Sequence, residues 1–406
     1  MKDQADISVD VFMGVDVAKQ DHWACAITAG GDELFSHAVA NDESAIDALF
    51  EEVQAHGVVA VIVDTTSPVA HLLLGVAARR QLPVAYVRGT VMRQAARTYA
   101  GEAKTDPKDA FVLADYARRN TDRLTWLEKD DPQLTRLRLL NSRDVDLATD
   151  ANRSLHRLRQ ALTAVSPALE RAVGKQLAST AGVRDLLEHL STPSALRAAG
   201  RSCIRSRIAK RSPRAAGKIA DAIWSALGAQ TVAADEEETW GEIIVDLAGD
   251  INRVNSRRNQ IAKDIKAIYK SHPLGKVLDS MCGFGPRTGP RVLAEIGNPH
   301  RFETGAQLAS YAGLAPVDRQ SGRTKTTRRS KGGNHRLKNA MFFAAFVAKR
   351  HDPAAKAHYE KKRAEGKSHK AAVISVARKR CDIILAMLKT QTPYRRPQQE
   401  ELALAA

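Results

Sequence analysis

The chain has 406 residues, which is enough for two or three domains with their own hydrophobic cores. Hydrophobic residues make up 44% of it, so intrinsic disorder is excluded as its general state. Lys and Arg (62) outnumber Asp and Glu (46), which gives a formal net charge of +16. A charge of this sign attracts polyanions, so we expect a nucleic-acid partner, with an anionic membrane surface as the rival.

Targeting and redox features indicate a protein of the prokaryotic cytoplasm that does not enter a membrane. No apolar run approaches the roughly 20 residues of a membrane-spanning helix, and the first ten residues carry three acids where a signal peptide is apolar. The cysteines are widely separated and form no C-x-x-C pair, which argues against a disulfide framework or a zinc site. They are Cys25, Cys203, Cys282 and Cys381.

The N-terminal part, residues 1–125, has the pattern of an α/β domain with a mixed sheet. Three consecutive strands are followed by alternating helices and strands, and the fourth strand is a continuous β-branched run of the kind found in buried strands. The predicted strands are Val11–Val17, Trp23–Ala29, Glu33–Val39, Val58–Val63 and Pro83–Val87. The predicted helices are Ala45–Val53 and Val69–Arg80.

The middle part, residues 126–272, is predicted to be a helical connector. Apolar residues recur at steps of three and four in two stretches, as in a coiled coil or a long antiparallel hairpin. The first stretch is Leu147, Ala151, Leu155, Leu158, Leu162 and Val165, and the second is Leu247, Ile251, Val254, Ile261, Ile265 and Ile268, interrupted by Arg258. We expect these helices also to mediate self-association into a dimer or tetramer.

Between the two seams lies a basic stretch with two interpretations of equal weight. It is either a solvated helix face or a contact with a nucleic-acid backbone. Its cations are Arg201, Arg205, Arg207, Lys210, Arg211, Arg214 and Lys218.

The C-terminal part, residues 273–396, is predicted to be mostly helical, with a tail at 397–406. The run Met281–Leu293 (MCGFGPRTGPRVL) indicates a helix, a glycine turn and a second helix starting near Pro286, as in a phosphate-binding helix-hairpin-helix. A loop rich in Gly, Ser, Thr and Arg follows Leu314, and helices are predicted over Leu337–Ala348 and His369–Leu388. Residues 321–350 carry nine Lys or Arg and no acid.

Four aspartates are candidate metal ligands. Asp16 and Asp64 end the first and fourth strands, so neighbouring strand ends can bring them to one sheet edge. Asp106 and Asp109 lie three residues apart in KTDPKDA and share one face of a helical first turn, with Pro107 just inside its start. Four converging carboxylates need a cation to neutralise them, and oxygen-only ligands favour Mg²⁺ or Mn²⁺, the ions of phosphodiester chemistry.

Each aspartate also has an ordinary structural explanation. Asp106 could be a helix N-cap and Asp109 a third-position residue facing the helix dipole, whereas Asp16 and Asp64 could each open a turn. The combined order of strand, strand and helix positions, which is ribonuclease-H-like, favours the metal site over these alternatives. His22 beside them is interpreted as structural.

The order D…D…D-x-x-D resembles that of the DEDD transposases in the insertion-sequence family numbered 110, whose N-terminal domain is RuvC-like. The resemblance rests on GVDVAKQDH and KTDPKDA in the first part and on MCGFGPRTGPRVLAEIG and FETGAQLASYAGLAPVDRQSGRTKTTRRSKGGNHRLKNAM in the last. It covers about 110 residues at one end of the chain and about 120 at the other. The family's second acid is usually Glu, so Asp64 departs from the pattern, which puts the spacing of the metal ions in question.

The resemblance also assigns a nucleophile. A Ser-Gly pair is common in loops, but the family's proposed nucleophile is the serine of this pair, which is Ser321 here, with Ser330 as the nearest rival. A serine hydroxyl needs activation, and cations near it would balance charge on an attacked phosphate. The predicted nucleic-acid contacts are Arg323, Arg328, Arg329, Lys331, Asn334 and Arg336, together with Arg205, Arg207, Lys210 and Arg211.

What the resemblance implies is a recombinase that cuts element-end and target DNA through a phosphoserine link and rejoins it without ATP. Family members also use a structured non-coding guide RNA, which the basic connector stretch would grip. Three alternatives stay open at this point. They are a Holliday-junction-resolvase-like nuclease with water as the nucleophile, a non-catalytic nucleic-acid-binding protein, and a sugar-kinase-like fold, which would need phosphate loops that the sequence lacks.

Overall fold

A computed structural model of the chain describes residues 8–99, 105–127, 131–230, 232–321 and 324–395. The chain divides into two compact units, residues 1–129 and 130–406. No helix in the described ranges combines the length and the apolar character needed to span a membrane.

The first unit is built on a six-stranded mixed sheet in the order β3-β2-β1-β4-β5-β6. Strands β1 to β3 are antiparallel neighbours, β4 runs parallel to β1, β5 parallel to β4, and β6 antiparallel to β5. The strands are Val11–Asp16 (β1), Asp21–Thr28 (β2), Glu33–Ala40 (β3), Val59–Val63 (β4), Val84–Tyr86 (β5) and Thr125–Trp126 (β6). The helices are Glu43–Gln54 (α1), His71–Arg79 (α2), Gly89–Ala96 (α3) and Asp106–Arg119 (α4).

Both faces of this sheet are covered, which is why β4 is buried at all five residues. One face, with Met13, Val15 and Val61, packs against α1 and α2. The opposite face, with Phe12 and Ile62, packs against α4. The predicted mixed α/β sheet with its first five strands and two helices is confirmed, whereas α3 and the two-residue β6 were not predicted.

The second unit is mostly helical, as predicted, and its described residues include one β-hairpin. Its helices up to the long α10 are Pro132–Val165 (α5), Pro167–Val173 (α6), Ala181–Leu187 (α7), Pro193–Arg211 (α8), Ala216–Ala229 (α9) and Glu237–Ser271 (α10). The remaining helices are Pro273–Asp279 (α11), Thr288–Ile296 (α12), Gly305–Tyr311 (α13), His335–His351 (α14), Pro353–Ala364 (α15) and His369–Thr390 (α16). The hairpin strands are Pro316–Ser321 (β7) and Thr324–Arg329 (β8).

The long helices α5 and α10 pack against each other and pass through two hydrophobic cores. Leu134 and Leu137 near the start of α5 share one core with Ile265 near the end of α10. Leu162 near the end of α5 shares the other core with Ile244 near the start of α10. The two helices are therefore antiparallel, and their apolar seams meet within one chain.

An ion-pair triad explains why Arg258 interrupts the seam of α10. Its Nε atom donates to Asp144 Oδ1 on α5 at 2.8 Å, and Arg291 Nη2 on α12 donates to Asp144 Oδ2 at 3.0 Å. All three side chains are partly shielded from solvent. The triad thus joins three helices at the position where an apolar residue would have joined two.

Two predictions for the C-terminal part were wrong in detail. The first helix of the expected helix-hairpin-helix ends at Asp279, so Met281 lies in the turn, whereas α12 begins at Thr288, two residues from the predicted start near Pro286. The Thr288 hydroxyl donates to the Gly283 carbonyl and accepts from the Gly285 amide, each at 3.1 Å, so one turn amide is already bonded. The segment after Leu314, expected to be a loop, forms the β7–β8 hairpin.

Candidate functional site

Asp16 and Asp64 lie at the carboxyl ends of the two central parallel strands. Val15 of β1 pairs in register with Val63 of β4, so Asp16 and Asp64 each follow one member of this pair. Side chains alternate along a strand, and Gly14 and Ile62 face α4. Asp16 and Asp64 therefore continue the face of the sheet that α4 covers, and both are partly buried.

Helix α4 brings the second pair of aspartates to the same face. It crosses β1 so closely that a Cβ atom on Gly14 would overlap the Ala110 carbonyl oxygen and lie 2.7 Å from the Ala114 amide nitrogen. Asp109 directly precedes Ala110, and Asp106 is the first residue of the helix. The N-cap position belongs to Thr105, so the alternative that made Asp106 the cap does not describe this helix.

The donor set fits a hard divalent cation because every candidate ligand atom is a carboxylate oxygen. Within the described ranges, however, three potential ligand atoms lie within 4.8 Å of one another only at Asp185, Glu188 and His189 in the second unit. Asp185 also pairs with Arg211 at 3.4 Å. A nearby cation disfavours metal binding at that cluster. The four predicted aspartates are all described, and no three of them bring ligand atoms within 4.8 Å of one another.

His22 supports the turn that follows Asp16. Its ring is 1% exposed, and its Nδ1 atom accepts a hydrogen bond from the Ala18 amide at 3.2 Å. Burial lowers the pKa of His22, so the neutral ring that can accept this bond is favoured. The structural interpretation of His22 is consistent with these contacts.

A buried network that the sequence did not reveal lies farther along α4. Asp115 is 3% exposed and accepts hydrogen bonds from Tyr99 at 2.6 Å and from Arg118 at 2.7 Å. Burial by itself raises the pKa of Asp115, but the bonds from Tyr99, Arg118 and Arg119 outweigh it and hold this pKa below its usual value. The network joins Tyr99, which precedes the acidic pair in the chain, to the middle of α4, which follows that pair.

Ser321 is the last residue of β7 and pairs with Thr324 across the end of the hairpin. Residues 322 and 323, and with them the predicted contact Arg323, lie outside the described residues, as do the side chains of Ser321 and Arg329. The backbone places Ser321 at the tip of the hairpin. Arg328 of β8 and Lys331 beyond it are exposed.

Two glycines and an asparagine form a clasp at the base of this hairpin, which we call the Gly313–Asn334 clasp. Gly313 (φ 65°) and Gly333 (φ 93°) both adopt left-handed backbone, and a Cβ atom on Gly333 would lie 2.5 Å from the Gly313 nitrogen. Asn334 caps α14 by accepting from the Leu337 amide at 3.0 Å. Its amide group donates to Glu295 at 2.7 Å and to the Tyr311 hydroxyl at 3.1 Å.

The remaining predicted nucleic-acid residues occupy two surfaces of the second unit. Arg336 is exposed at the start of α14 and donates to the Ser142 hydroxyl at 3.0 Å. In α8, Arg205, Lys210 and Arg211 are exposed and Arg207 is half-buried. Asn334, also predicted to contact nucleic acid, donates both hydrogen bonds of its side-chain amide to Glu295 and Tyr311 within the protein.

Comparison with known proteins gives the family. Residues 13–167 match the family model for DEDD transposases of the IS110 type, and residues 275–360 match the model for transposases of the IS116/IS110/IS902 family. The 43.6 kDa protein of insertion element IS110 from Streptomyces coelicolor is 40% identical over 97% of this chain and 98% of its own length. The chain belongs to the IS110 family of transposases.

Two more distant relatives of this transposase indicate how far the shared pattern extends. The mini-circle putative transposase for IS117 of Streptomyces coelicolor is 27% identical over 90% of both chains. The pilin gene-inverting protein of Moraxella lacunata is 23% identical over 94% of this chain and 97% of its own. The similarity extends over nearly the whole transposase in both cases.

Two structural features of the transposase site were missed, although the sequence held a signal for one. Asn directly before a helical run is a common N-cap signal, so Asn334 ahead of HRLKNAM could have been assigned to the start of α14. The Tyr99–Asp115 network joins residues 16 positions apart through tertiary contact, for which periodicity gives no signal.

Proposed function

We propose that this transposase cuts and rejoins DNA strands by forming a covalent phosphoserine at Ser321, with a divalent metal held by Asp16, Asp64, Asp106 and Asp109. The observation that carries the proposal is the placement of Asp16 and Asp64 at one sheet edge, on the face that the N-terminal part of α4 covers. The strand order β3-β2-β1-β4-β5 supports a ribonuclease-H-like, and hence RuvC-like, first unit.

The proposed exchange conserves bonds. The Ser321 Oγ atom attacks a backbone phosphorus, a P–Oγ bond forms, a P–O bond to a sugar oxygen breaks, and the serine proton ends on the departing sugar hydroxyl. A sugar hydroxyl of the second strand then attacks the phosphoserine, restores a phosphodiester and returns a proton to Ser321. Because one phosphoester replaces another at each step, no ATP is needed.

The residues around these groups have defined tasks in this scheme. The four aspartates hold the cation, Mg²⁺ or Mn²⁺, which when bound supplies positive charge against the negative charge that develops at the phosphate. Arg323, Arg328, Arg329, Lys331 and Arg336 bind the DNA backbone beside Ser321. The Gly313–Asn334 clasp fixes the base of the hairpin that carries the serine.

The proposal has three further parts. The exposed cations of α8, with Arg205 and Lys210 among them, bind the backbone of a guide RNA. Self-association into a dimer or tetramer through the outer surfaces of the α5–α10 pair, whose apolar seam is already buried within one chain, brings carboxylates and serines together. The rest of the chain acts as two parts, a connector over 126–272, whose first four residues fall in the first unit, and a C-terminal transposase domain over 273–396.

A covalent-adduct assay tests the proposal. The protein is incubated with Mg²⁺, an element-junction DNA and the element's RNA, and DNA attached to protein is detected after denaturation. We expect an adduct with the wild type and none with Ser321→Ala or Asp16→Ala. Ser330→Ala is the matched control, since it removes the rival hydroxyl of the same segment and should leave the adduct intact.

Strand cleavage that persists in Ser321→Ala without an adduct would contradict the serine mechanism. It would favour a resolvase-like nuclease, for which the carboxylate edge suffices and water is the nucleophile. An adduct that forms equally well in EDTA and with Asp16→Ala would contradict the metal site.

A further inference from the structure

Helix α14 presents large apolar side chains to solvent on the side that faces away from its core. Leu337, Met341 and Ala345 are buried on the inner side. On the outer side, Phe343 is 52% and Val347 42% exposed. Contiguous exposed apolar groups on a folded surface commonly mark a binding site.

Cations flank these apolar residues along one line of the helix. Exposed residues follow Phe343 and Val347 at helical spacing in both directions, and we call this set the Phe343 strip. It consists of Arg336, Asn339, Phe343, Val347 and Arg350. The 17 residues of α14 contain no acid.

Exposed cationic and apolar side chains also lie next to the Phe343 strip. The Arg336 guanidinium reaches Ser142 of α5, which brings that helix beside the strip, and Arg136, Leu139 and Arg143 form an exposed line there. This line ends at the exposed Asp146. At the other end of the strip, the Arg350 guanidinium lies 5.0 Å from the centre of the Phe346 ring.

We propose that the Phe343 strip binds single-stranded DNA, with an unpaired base stacked on Phe343 and backbone phosphates on Arg336 and Arg350. Stacking on an exposed ring flanked by cations is how proteins bind single strands without reading their sequence. Duplex DNA offers the ring no base face. The inference rests on the proposed action on DNA but requires neither Ser321 as the nucleophile nor a metal.

Charge disfavours a second copy of this chain as the occupant. In a two-fold dimer through this face, each residue would meet the same surface patch on the partner, so arginines would face arginines. Like charges at close range cost affinity, whereas a polyanion neutralises them. Single-stranded DNA therefore fits both the ring and the charge.

The test measures binding in EDTA with Ser321→Ala as the background, so that no strand chemistry contributes. Fluorescence anisotropy with labelled oligo(dT) gives the dissociation constant. We expect Phe343→Ala to weaken binding about 5- to 150-fold, the loss of one base stack, and Phe343→Tyr to bind within about twofold because the ring remains. Trp224→Ala, which removes another exposed aromatic ring (41%), is the matched control and should bind like the parent.

Two further measurements distinguish the other occupants. Arg350→Gln should reduce the slope of log affinity against log salt by about 0.7 for oligo(dT), and Phe343→Ala should change binding of a duplex by less than about twofold. Unchanged oligo(dT) binding by Phe343→Ala would overturn the proposal, as would an equal loss for duplex. Tighter binding of oligo(U) than of oligo(dT), or dissociation of a wild-type dimer by Phe343→Ala in sedimentation, would replace it with an RNA site or a subunit interface.

Discussion

The candidate carboxylates Asp16 and Asp64 and the candidate nucleophile Ser321 are held in place by different kinds of structure. Strands β1 and β4 lie in the middle of a six-stranded sheet and are covered on both faces. Among the strands that the structure describes, β7 and β8 pair only with each other, and Val317, Gln320, Thr326 and Arg328 on them are exposed. Folding of a hydrophobic core therefore fixes the carboxylate edge, whereas the hairpin depends on the clasp at its base.

Replacing Asp16 or Asp64, the carboxylates at the ends of β1 and β4, has the largest expected effect. Asp16→Asn or Asp64→Asn should reduce DNA cleavage at least about 10²-fold, because one charge and one ligand oxygen are lost from a fixed constellation. Asp64→Glu keeps both and should stay within about tenfold of the wild type. Single-turnover cleavage measures the effect, and Asp32→Asn in the exposed β2–β3 turn is the control.

Cleavage at the wild-type rate by Asp16→Asn would show that Asp16, at the end of β1, does not take part in catalysis. If Asp64→Glu proves as inactive as Asp64→Asn, the shorter acid sets a spacing that the longer one does not restore.

Glycine substitutions test how closely α4 is held on the sheet. Gly14→Ala should lower the free energy of unfolding by about 2–3 kcal/mol, because its Cβ atom would overlap the backbone of α4 and lie 2.8 Å from Leu113 Cβ. Gly75→Ala in α2, where the new Cβ atom meets no atom within 4 Å apart from its chain neighbours and the adjacent backbone of its own helix, should raise it by about 0.5–1 kcal/mol. Urea denaturation measures both, and equal effects would mean that the close approach is not rigid.

Removing the asparagine of the clasp tests how the hairpin is held in place. Asn334→Ala loses an N-cap and two side-chain hydrogen bonds and should cost about 1–2 kcal/mol of stability. It should also slow adduct formation, because the base of the hairpin that carries Ser321 loosens. Ser330→Ala, whose hydroxyl only donates to the Gly332 carbonyl, is the matched control, and an Asn334→Ala protein with full stability and activity would show that the glycines alone suffice.

The smallest effect concerns pH and the Asp115 network. The folded state lowers the pKa of Asp115, so its stabilising contribution is present above about pH 4 and is lost as the pH falls below that value. Asp115→Asn should cost about 1 kcal/mol at neutral pH and should weaken the acid dependence of stability. Denaturation of both proteins between pH 3 and 7 measures this, and parallel pH profiles would contradict it.

The sheet could be predicted because its strands are apolar runs with short polar turns between them. The continuous β-branched run Val58–Val63 indicates a buried strand, and the strands beside it are predicted from their own short apolar runs. Helix α3 has eight residues, begins with Gly-Thr and buries one of them, Met92, and β6 has two residues, so neither stands out from a loop. The sequences of β7 and β8 contain two apolar residues, Pro316 and Val317, so this polar, threonine-rich segment resembles a loop until its strands pair.

The candidate site also contains residues that the sequence pattern predicts and residues that it does not. Asp16 and Asp64 follow from the positions at which two strands end, and the D-x-x-D pair from helical spacing. Nothing in the periodicity distinguishes Ser321 from Ser330, and only the family resemblance does so. The clasp requires knowing that Gly313 and Gly333, 20 positions apart in the chain, meet backbone to backbone.

The antiparallel α5–α10 pair passes through the two hydrophobic cores of the second unit and so sets the distance between them. Because its seam repeats about every seven residues, removing one repeat from each helix between the two cores would keep every apolar residue in phase. The distance between the cores would shorten by about 10 Å, at 1.5 Å per helical residue. Elements of this design can change their reach through paired insertions or deletions without redesigning either end.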